Sequence, residues 1–231
     1  APRGAGVNEL ARAIEVNPST ASRLLGTLER GRMVQRQADG RFRLGLHLVA
    51  LAEATLSGLD VRELARPVLR ELVALTGETA TLSVPGGADA ITVDFVPAQA
   101  SVVSVARLGR PSVGHATATG KVMLAFGGAA QGRGERALIA YTAHTVTGPA
   151  ALSAEVAGVR DRGWAQAVGE REPDLNALAA PVLARGGELV GILGLQGPAG
   201  RLTEQRREEV LGALLDAAAR LSRALGGQLQ G

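Results

Sequence analysis

The N-terminal fold is decided by the stretch Asn17-Pro18-Ser19-Thr20-Ala21-Ser22-Arg23-Leu24-Leu25-Gly26-Thr27-Leu28-Glu29-Arg30. Asn17 is a favourable helix N-cap, and Pro18 suits the first helical position because its missing N–H needs no partner there. The apolar residues recur every three or four positions and predict one inward face, made of Ala21, Leu24, Leu25 and Leu28. The opposite face carries hydroxyl and guanidinium groups, which contact phosphates and base edges when a helix lies in a major groove.

The flanking sequence favours a DNA-binding unit over an ordinary helix with a solvated face. Val7–Ile14 predicts a shorter helix, and the tight connection Glu15–Asn17 makes the pair a helix-turn-helix. Its residues expected to face inward are Leu10, Ala11 and Ile14. Downstream, Met33–Arg36 and Arg41–Leu44 alternate as two short strands around an Asp-Gly turn. The predicted unit is a winged helix-turn-helix.

The distribution of charge agrees with this interpretation. Residues 1–44 carry a net charge of +4 and the rest of the chain −1, so the basic excess lies where phosphate contacts would use it. A recognition helix in the major groove and a basic wing beside it would bring eight side chains to DNA. They are Ser19, Thr20, Ser22, Arg23 and Thr27 on the helix, and Arg36, Arg41 and Arg43 on the wing.

The remainder of the chain predicts a larger α+β domain. Its 231 residues suffice for two domains, and we place a linker helix at residues 45–58 and a second domain at residues 59–231. A helix over Asp60–Thr76 precedes segments of period two, which predict a mostly antiparallel sheet flanked by helices. The expected strands are Glu78–Val84, Ala90–Phe95, Val102–Ala106, Trp164–Val168, Ala177–Leu183 and Leu189–Leu195.

Composition excludes several classes of protein. The chain has no Cys, so neither a disulfide framework nor a thiolate site is possible. No apolar run approaches the length of a membrane span and no secretory signal is visible, so we expect a cytoplasmic protein without a membrane partner. Its five aromatic residues are too few for an extended platform that stacks single-stranded nucleic acid.

Several motifs together resemble IclR-type bacterial transcriptional regulators over nearly the whole chain. The matching segments are Val7–Ala11, Ser22–Leu28, Phe42–Gly45, Thr76–Thr79, His115–Lys121 and Leu178–Val182. The resemblance implies a GAF-like effector domain behind the winged helix, a palindromic double-stranded operator, and assembly as a dimer or a dimer of dimers. Two departures stand out: the helix that opens the family's winged helix is absent from this sequence, and Asp174 stands where the family usually has Gly.

The stretch Gly114–Lys121 is a small-residue loop that leads into a helix. Free N–H groups and the dipole at such a helix start suit a small anion, although close packing of a helix on a sheet also requires small residues. With the resemblance, the stretch predicts a pocket for a small organic acid. The effector contacts implied by position are Gly114, His115, Ala116, Thr117, Ala118, Glu170, Glu172, Leu178, Ala180, Gly194 and Gln196.

An enzyme that uses the winged helix only for oligomerisation is the alternative function. His115 beside Thr117, with Asp94 elsewhere, could form a nucleophile–base set, but nothing in their spacing requires it. The glycines of Gly114–Lys121 have the wrong spacing for a phosphate-binding P-loop. The three His residues are widely separated and no carboxylates cluster, so we expect no catalytic residues, no metal and no cofactor.

Overall fold

The structure is a computed structural model that describes residues 4–51, 60–102, 104, 106–128 and 137–226. The chain forms two compact units, Ala1–Leu59 and Asp60–Gly231. Of the linker helix predicted at residues 45–58, residues 47–51 are helical, and residues 52–58 lie outside the described part. None of the described helices has the length and apolar character needed to cross a membrane.

The first unit is a helix-turn-helix followed by a two-stranded wing, as predicted. Its elements are α1 (Val7–Ala13), α2 (Pro18–Arg30), β1 (Val34–Arg36) and β2 (Phe42–Leu44). The Asn17 side chain caps α2 by accepting the N–H of Thr20 at 2.8 Å. The two wing strands pair antiparallel, and Gly40 adopts the positive φ that their tight turn requires.

The predicted inward faces of α1 and α2 are only partly buried. The buried residues are Ala11, Ala21 and Leu25. The others remain about half exposed, at 54% for Ile14, 46% for Leu24 and 44% for Leu28. With Leu10 they border an open apolar groove of about 310 Å³. The expectation of burial is wrong for these three residues because no described element of this unit packs over that side of the two helices.

The second unit is built on one antiparallel sheet. Its elements are α3 (Asp60–Thr76), β3 (Thr79–Gly86), β4 (Asp89–Val96), β5 (Pro111–Ser112), α4 (Ala118–Phe126), α5 (Pro149–Arg162), β6 (Ala165–Val168), β7 (Leu175–Leu183), β8 (Leu189–Pro198) and α6 (Glu204–Ala224). The six strands lie in the order β5-β4-β3-β8-β7-β6, and all neighbours are antiparallel. This confirms the predicted α+β class. The strand expected over Val102–Ala106 is wrong for its described residues 102, 104 and 106, and Pro111–Ser112 pairs with β4 instead.

The two faces of the sheet pack against different helices. Helices α3 and α6 pack on each other and on one face, where α6 contacts β7 and β8. On the other face, α4 and α5 pack over small side chains, among them Ala165, Ala167 and Ala179. Because alternate residues of a strand point to opposite faces, every strand residue is assigned to one helix pair or the other.

A buried carboxylate fixes the start of β3 to the end of β8. The Glu78 side chain is 1% exposed and accepts two hydrogen bonds from Arg201, at 2.5 Å and 2.6 Å. These hydrogen bonds raise the pKa of the Arg201 guanidinium above its ordinary value. A third hydrogen bond runs from Arg201 to the carbonyl oxygen of Val102 at 3.0 Å, which holds the segment after β4 in place.

We expect Arg201→Ala to lower the free energy of unfolding by about 2–3 kcal/mol, because it leaves the Glu78 carboxylate buried without its partner. The matched control is Arg220→Ala, which removes an ion pair to Glu71 in which both side chains are 46% exposed. That control should cost less than about 1 kcal/mol. Urea unfolding of both variants measures the difference, and equal losses would contradict the role given to Glu78.

Candidate functional site

The side chains predicted to contact DNA on α2 lie on its outward side. Exposed there are Ser19, Ser22, Arg23 and Thr27, and Thr20 is half-buried beside them. The Thr27 hydroxyl donates to the carbonyl oxygen of Arg23 and accepts from the Arg30 guanidinium, both at 3.1 Å. The guanidinium of Arg23 has no ion-pair partner in the described part of the chain. It is therefore available to a base edge or a phosphate.

The three wing arginines have different surroundings. Arg36 lies over the ring of Phe42, with its Cζ 5.9 Å from the ring centroid. Arg41 donates to the Glu9 carboxylate at 2.9 Å, which ties the wing to α1. Arg43 is exposed on β2, and no described acidic side chain pairs with it. The structure thus gives Arg41 an internal role that sequence reasoning missed, while Arg43 is free to meet a phosphate.

The second candidate site is a cavity of about 820 Å³ over the sheet face that carries α4. Strand residues of the floor include Thr81, Thr92, Ala177 and Gln196. The walls are the loop entering α4, at Ala116–Thr119, and the loop after β6, at residues 171–174. Arg107 and Arg110 also line it, and Arg110 lies 3.4 Å from the Glu172 carboxylate.

The start of α4 presents unused N–H groups at this cavity. Thr117 is the N-cap: its hydroxyl accepts the N–H of Gly120 at 3.0 Å and donates to the carbonyl oxygen of Val113 at 2.9 Å. The N–H groups of Ala116 and Thr117 also donate to Val113. The first-turn N–H groups that follow, at positions 118 and 119, have no acceptor among the described residues. An anion in the cavity would therefore meet these two donors, one step further along the chain than the sequence analysis expected.

Five of the eleven residues predicted to contact an effector line the cavity: Ala116, Thr117, Ala118, Glu172 and Gln196. Gly194 lies just beneath the lining, because a Cβ added to it would stand 2.6 Å from the Thr81 hydroxyl and 3.6 Å from the Thr119 hydroxyl. Its missing side chain therefore keeps space open between two lining residues. Asp174 also lines the cavity.

Leu178 and Ala180 lie on the opposite face of the sheet. They alternate with Ala177 and Ala179, which face the cavity and α4, so their own side chains point towards α3 and α6. Both are buried, at 1% and 0% exposed. These two residues are therefore core and do not enclose this cavity, since a shift of one position along a strand reverses the face that a side chain occupies.

Gly114 and His115 support the loop from behind. The ring of His115 is buried, and its Nε2 lies 2.9 Å from the carbonyl oxygen of Ile139. Gly120 packs directly against the backbone of Val113 and Gly114, where a Cβ would collide with the Val113 carbonyl oxygen. The sequence left two explanations for the small residues of Gly114–Lys121, a pocket or close packing of a helix. Both are present: close packing on one side of this stretch and the cavity on the other.

Lys121 is the residue whose role the sequence analysis missed. Its side chain is 3% exposed, and its Nζ donates to the Glu170 carboxylate at 2.7 Å and to the carbonyl oxygen of Gln166 at 3.0 Å. Glu170 is therefore engaged by Lys121 and does not line the cavity. The sequence marks this position only in that Lys121 is the single Lys beside 24 Arg.

The sequence analysis also missed the hydroxyl groups and arginines of the cavity lining. They are Thr81, Thr92, Ser104, Ser112 and Thr119, with Arg107, Arg110 and Arg171. Thr79, Thr81 and Ser83 occupy alternate positions of β3 and therefore share a face. Hydroxyl groups at period two in an otherwise apolar strand indicate a polar face, and this pattern could have located the floor.

The groups considered for catalysis are not assembled. The His115 ring is bonded to a backbone carbonyl, and Asp94 is paired with Arg66. Over the described ranges, no three carboxylate or imidazole side chains gather as they would around a metal ion.

Comparison with known families identifies two matching domains. The family model described as "IclR helix-turn-helix domain" matches residues 1–38, and "Bacterial transcriptional regulator IclR C-terminal" matches residues 53–223. Together they extend over most of the chain, with one on each compact unit.

Individual relatives match along nearly the full length. The glycerol operon regulatory protein of Streptomyces griseus is 33% identical over 230 residues, which cover 97% of this chain and 90% of that protein. The crystal structure of a putative ICLR transcriptional regulator from Silicibacter sp. TM1040 is 28% identical with a TM-score of 0.87, covering 98% of this chain and 91% of the other. An IclR homologue from Microbacterium hydrocarbonoxydans, crystallised with 4-hydroxybenzoate, shares the fold at 23% identity and a TM-score of 0.76, covering 96% and 91%.

Removing the Lys121 ammonium should destabilise the second unit, since it leaves the Glu170 carboxylate buried without its counter-charge. We expect Lys121→Met to lower the free energy of unfolding by about 3–5 kcal/mol. The double variant Lys121→Met with Glu170→Leu should recover most of that loss, because no buried charge then stays unpaired.

Chemical denaturation of the two variants and of Glu170→Leu alone completes a double-mutant cycle. Additive losses, with no recovery in the double variant, would show that the two side chains are not coupled.

Proposed function

The chain belongs to the IclR family of bacterial transcriptional regulators, and we propose that a small organic acid bound in the sheet cavity modulates its affinity for an operator. Family membership decides between the two functions that the sequence left open: the protein is a DNA-binding transcriptional regulator and not an enzyme. The chemistry of the effector, the residues that bind it and the form of the operator are parts of the proposal.

The observation that carries the proposal is the pair of unused N–H groups at positions 118 and 119, where α4 begins at the cavity wall. Two adjacent amide donors at the positive end of a helix dipole match the two oxygens of a carboxylate. The arginines at 107, 110 and 171 add positive potential to the lining, while Glu172 and Asp174 oppose it. That balance favours one anionic group placed at α4. The relative crystallised with 4-hydroxybenzoate offers a precedent for an organic acid.

The regulatory effect requires that the acid bind one state of the protein better than another. An effector shifts the affinity for DNA by the ratio of its own affinities for the two states, and by no more. The cavity walls come from separate segments, the loop entering α4 and the loop after β6, so a ligand between them can favour one spacing of the two loops.

The DNA-facing part of the proposal assigns α2 to the major groove and the wing to the adjacent phosphates. Arg23 would read a base edge, with Ser19, Thr20, Ser22 and Thr27 contacting the backbone around it. Arg36 and Arg43 would contact phosphates, and Arg41 would hold the wing through Glu9. Two copies of the chain, as a dimer or within a dimer of dimers, would meet a palindromic operator in the cytoplasm, where the bacterial chromosome lies.

The arginines should separate into two classes in DNA-binding assays. Arg23→Ala should weaken binding to a specific duplex by about 1–3 kcal/mol and reduce sequence preference, because the base contact is lost. Arg43→Ala should weaken binding to all duplexes and lower the slope of log affinity against log salt by roughly one. The control Arg41→Ala should change the salt slope less, since its charge is already paired with Glu9.

Fluorescence anisotropy over a salt series, with a duplex selected from a random pool by the wild type, measures all three variants. Unchanged affinity and slope in Arg23→Ala and Arg43→Ala, with folding intact, would exclude this surface as the DNA contact.

Filling the cavity should abolish the response to effector. Ala177 lies near the start of β7 and lines the cavity, so Ala177→Leu adds bulk where the ligand would lie. We expect its affinity for carboxylic acids to fall at least tenfold, while its affinity for DNA without effector stays within about threefold of the wild type. The matched control is Ala154→Leu, which adds the same bulk on the exposed side of α5. A variant that responds to effector like the control would place the effector site elsewhere.

A further inference from the structure

We infer that the effector is a hydroxylated aliphatic carboxylic acid, of the kind formed by oxidising a sugar or a polyol, and not an aromatic acid. This inference rests on the proposed function, because it names the class of acid that the cavity accepts. Its basis is the arrangement of hydroxyl groups on the cavity floor.

The described residues of the lining are rich in hydrogen-bonding side chains and include no aromatic ring. Its uncharged polar members are Thr81, Thr92, Ser104, Ser112, Thr117, Thr119 and Gln196. Its apolar members are Val102, Leu175 and a set of Ala and Pro residues. A phenyl ring would leave unsatisfied the three lining hydroxyl groups that have no partner among the described residues, those of Thr81, Ser112 and Thr119, which is costly once water is displaced. A carbon chain that carries hydroxyl groups would satisfy them.

Thr81 provides the most specific observation. The residue is 6% exposed, yet its hydroxyl has no hydrogen-bond partner among the described residues. The Thr81 hydroxyl lies above Gly194, 2.6 Å from the position that a Cβ on Gly194 would take. Thr81 also lines the cavity. The residue is buried, but its hydroxyl oxygen is open to the cavity, so it offers a hydrogen bond that a polar group of a ligand can make.

Gln196 extends the same polar strip along β8. Its Nε2 donates to the Ser104 hydroxyl at 2.6 Å, which fixes the orientation of the amide and leaves Oε1 as an acceptor. Gln196 stands opposite Ala177 in the sheet, and Thr81 stands opposite Gly194. The polar strip therefore crosses two neighbouring strands, beside the two free N–H groups at the start of α4.

These positions assign an orientation to the ligand. The carboxylate accepts the N–H groups at positions 118 and 119, and the hydroxyl groups of the carbon chain meet Thr119, Thr81 and then Gln196. The hydroxyl groups of Thr119 and Thr81 can each donate and accept a hydrogen bond, whereas Oε1 of Gln196 only accepts. This discriminates against benzoate and 4-hydroxybenzoate, because neither carries polar groups at successive carbons along that path.

The experiment uses the full chain and calorimetric titration with named probes. The hydroxylated acids are D-glycerate, L-threonate and D-gluconate, the aromatic acids are benzoate and 4-hydroxybenzoate, and the neutral polyol is D-glucitol. We expect at least one hydroxylated acid to bind with a Kd below about 1 mM and at least tenfold more tightly than either aromatic acid. Failure of all three hydroxylated acids, or equal or tighter binding of an aromatic acid, overturns the inference.

Thr81→Val tests the assigned contact. It replaces an unbonded hydroxyl by a methyl group of similar size, so the ligand-free protein should keep its thermal stability, while affinity for the hydroxylated acid falls roughly three- to tenfold. The contrasting control is Ser222→Ala. The Ser222 hydroxyl is buried on α6 and donates to the carbonyl oxygen of Ala218 at 2.8 Å, away from the cavity, so stability should fall and ligand affinity should not. Unchanged ligand affinity in Thr81→Val overturns the assigned contact.

The same titrations distinguish this inference from the proposed function. If an aromatic acid binds and Ala177→Leu abolishes that binding, the cavity is an organic-acid site and only the hydroxylated class is wrong. If D-glucitol binds as tightly as D-gluconate, the hydroxyl strip is right and the carboxylate site at α4 is wrong. If no acid binds and none alters DNA affinity, both are wrong.

Discussion

The buried ion pair between Lys121 and Glu170 is the constraint on which the cavity over the sheet depends. Lys121 lies in the first turn and a half of α4, and Glu170 begins the loop that follows β6, so one 2.7 Å contact joins the two walls of the cavity. A buried charge that loses its partner is costly, so this pair limits how far the two walls can move apart. The free N–H groups at the start of α4 are held at the cavity by that same contact, and so is the neighbouring Glu172 carboxylate. Glu78 and Arg201 anchor the segment carrying Val102 and Ser104 in a similar way.

The sheet separates stability from recognition by the alternation of its strands. The residues that point towards α3 and α6 include large aliphatic side chains, such as Leu82, Leu178 and Leu193, and they are fully buried. On the other face, many strand residues are small or carry hydroxyl groups, and Gly120 of α4 packs directly against the backbone of Val113 and Gly114. One strand can therefore contribute to the core and to the cavity at once, so the polar floor of the cavity is held rigidly by the packing behind it.

Much of this architecture follows from the sequence, for identifiable reasons. The Asn17 cap, the Asp-Gly turn of the wing and the strand alternation are local signals, and they predicted their elements correctly except over Val102–Ala106, whose described residues form no strand. The loop entering α4 was located because its small residues are unusual. The faces occupied by Leu178 and Ala180 were predicted wrongly. The face that a strand residue occupies depends on the register of the strand, and the local pattern does not determine the register when both faces are apolar. Lys121 was missed for a different reason: its partner lies 49 residues away, and only the fold brings the two together.

The central claim is that one organic acid in the cavity and one DNA duplex on the winged helix influence each other's binding. Thermodynamic linkage requires the effect to be reciprocal, whatever the direction of regulation. The most direct measurement is the affinity of the tightest-binding acid for the free protein and for the protein saturated with its selected duplex. The account predicts that the affinity for the acid differs between the free and the DNA-bound protein by about fivefold or more. The acid should change the affinity for DNA by that same factor. Equal affinity for the acid with and without DNA would contradict it.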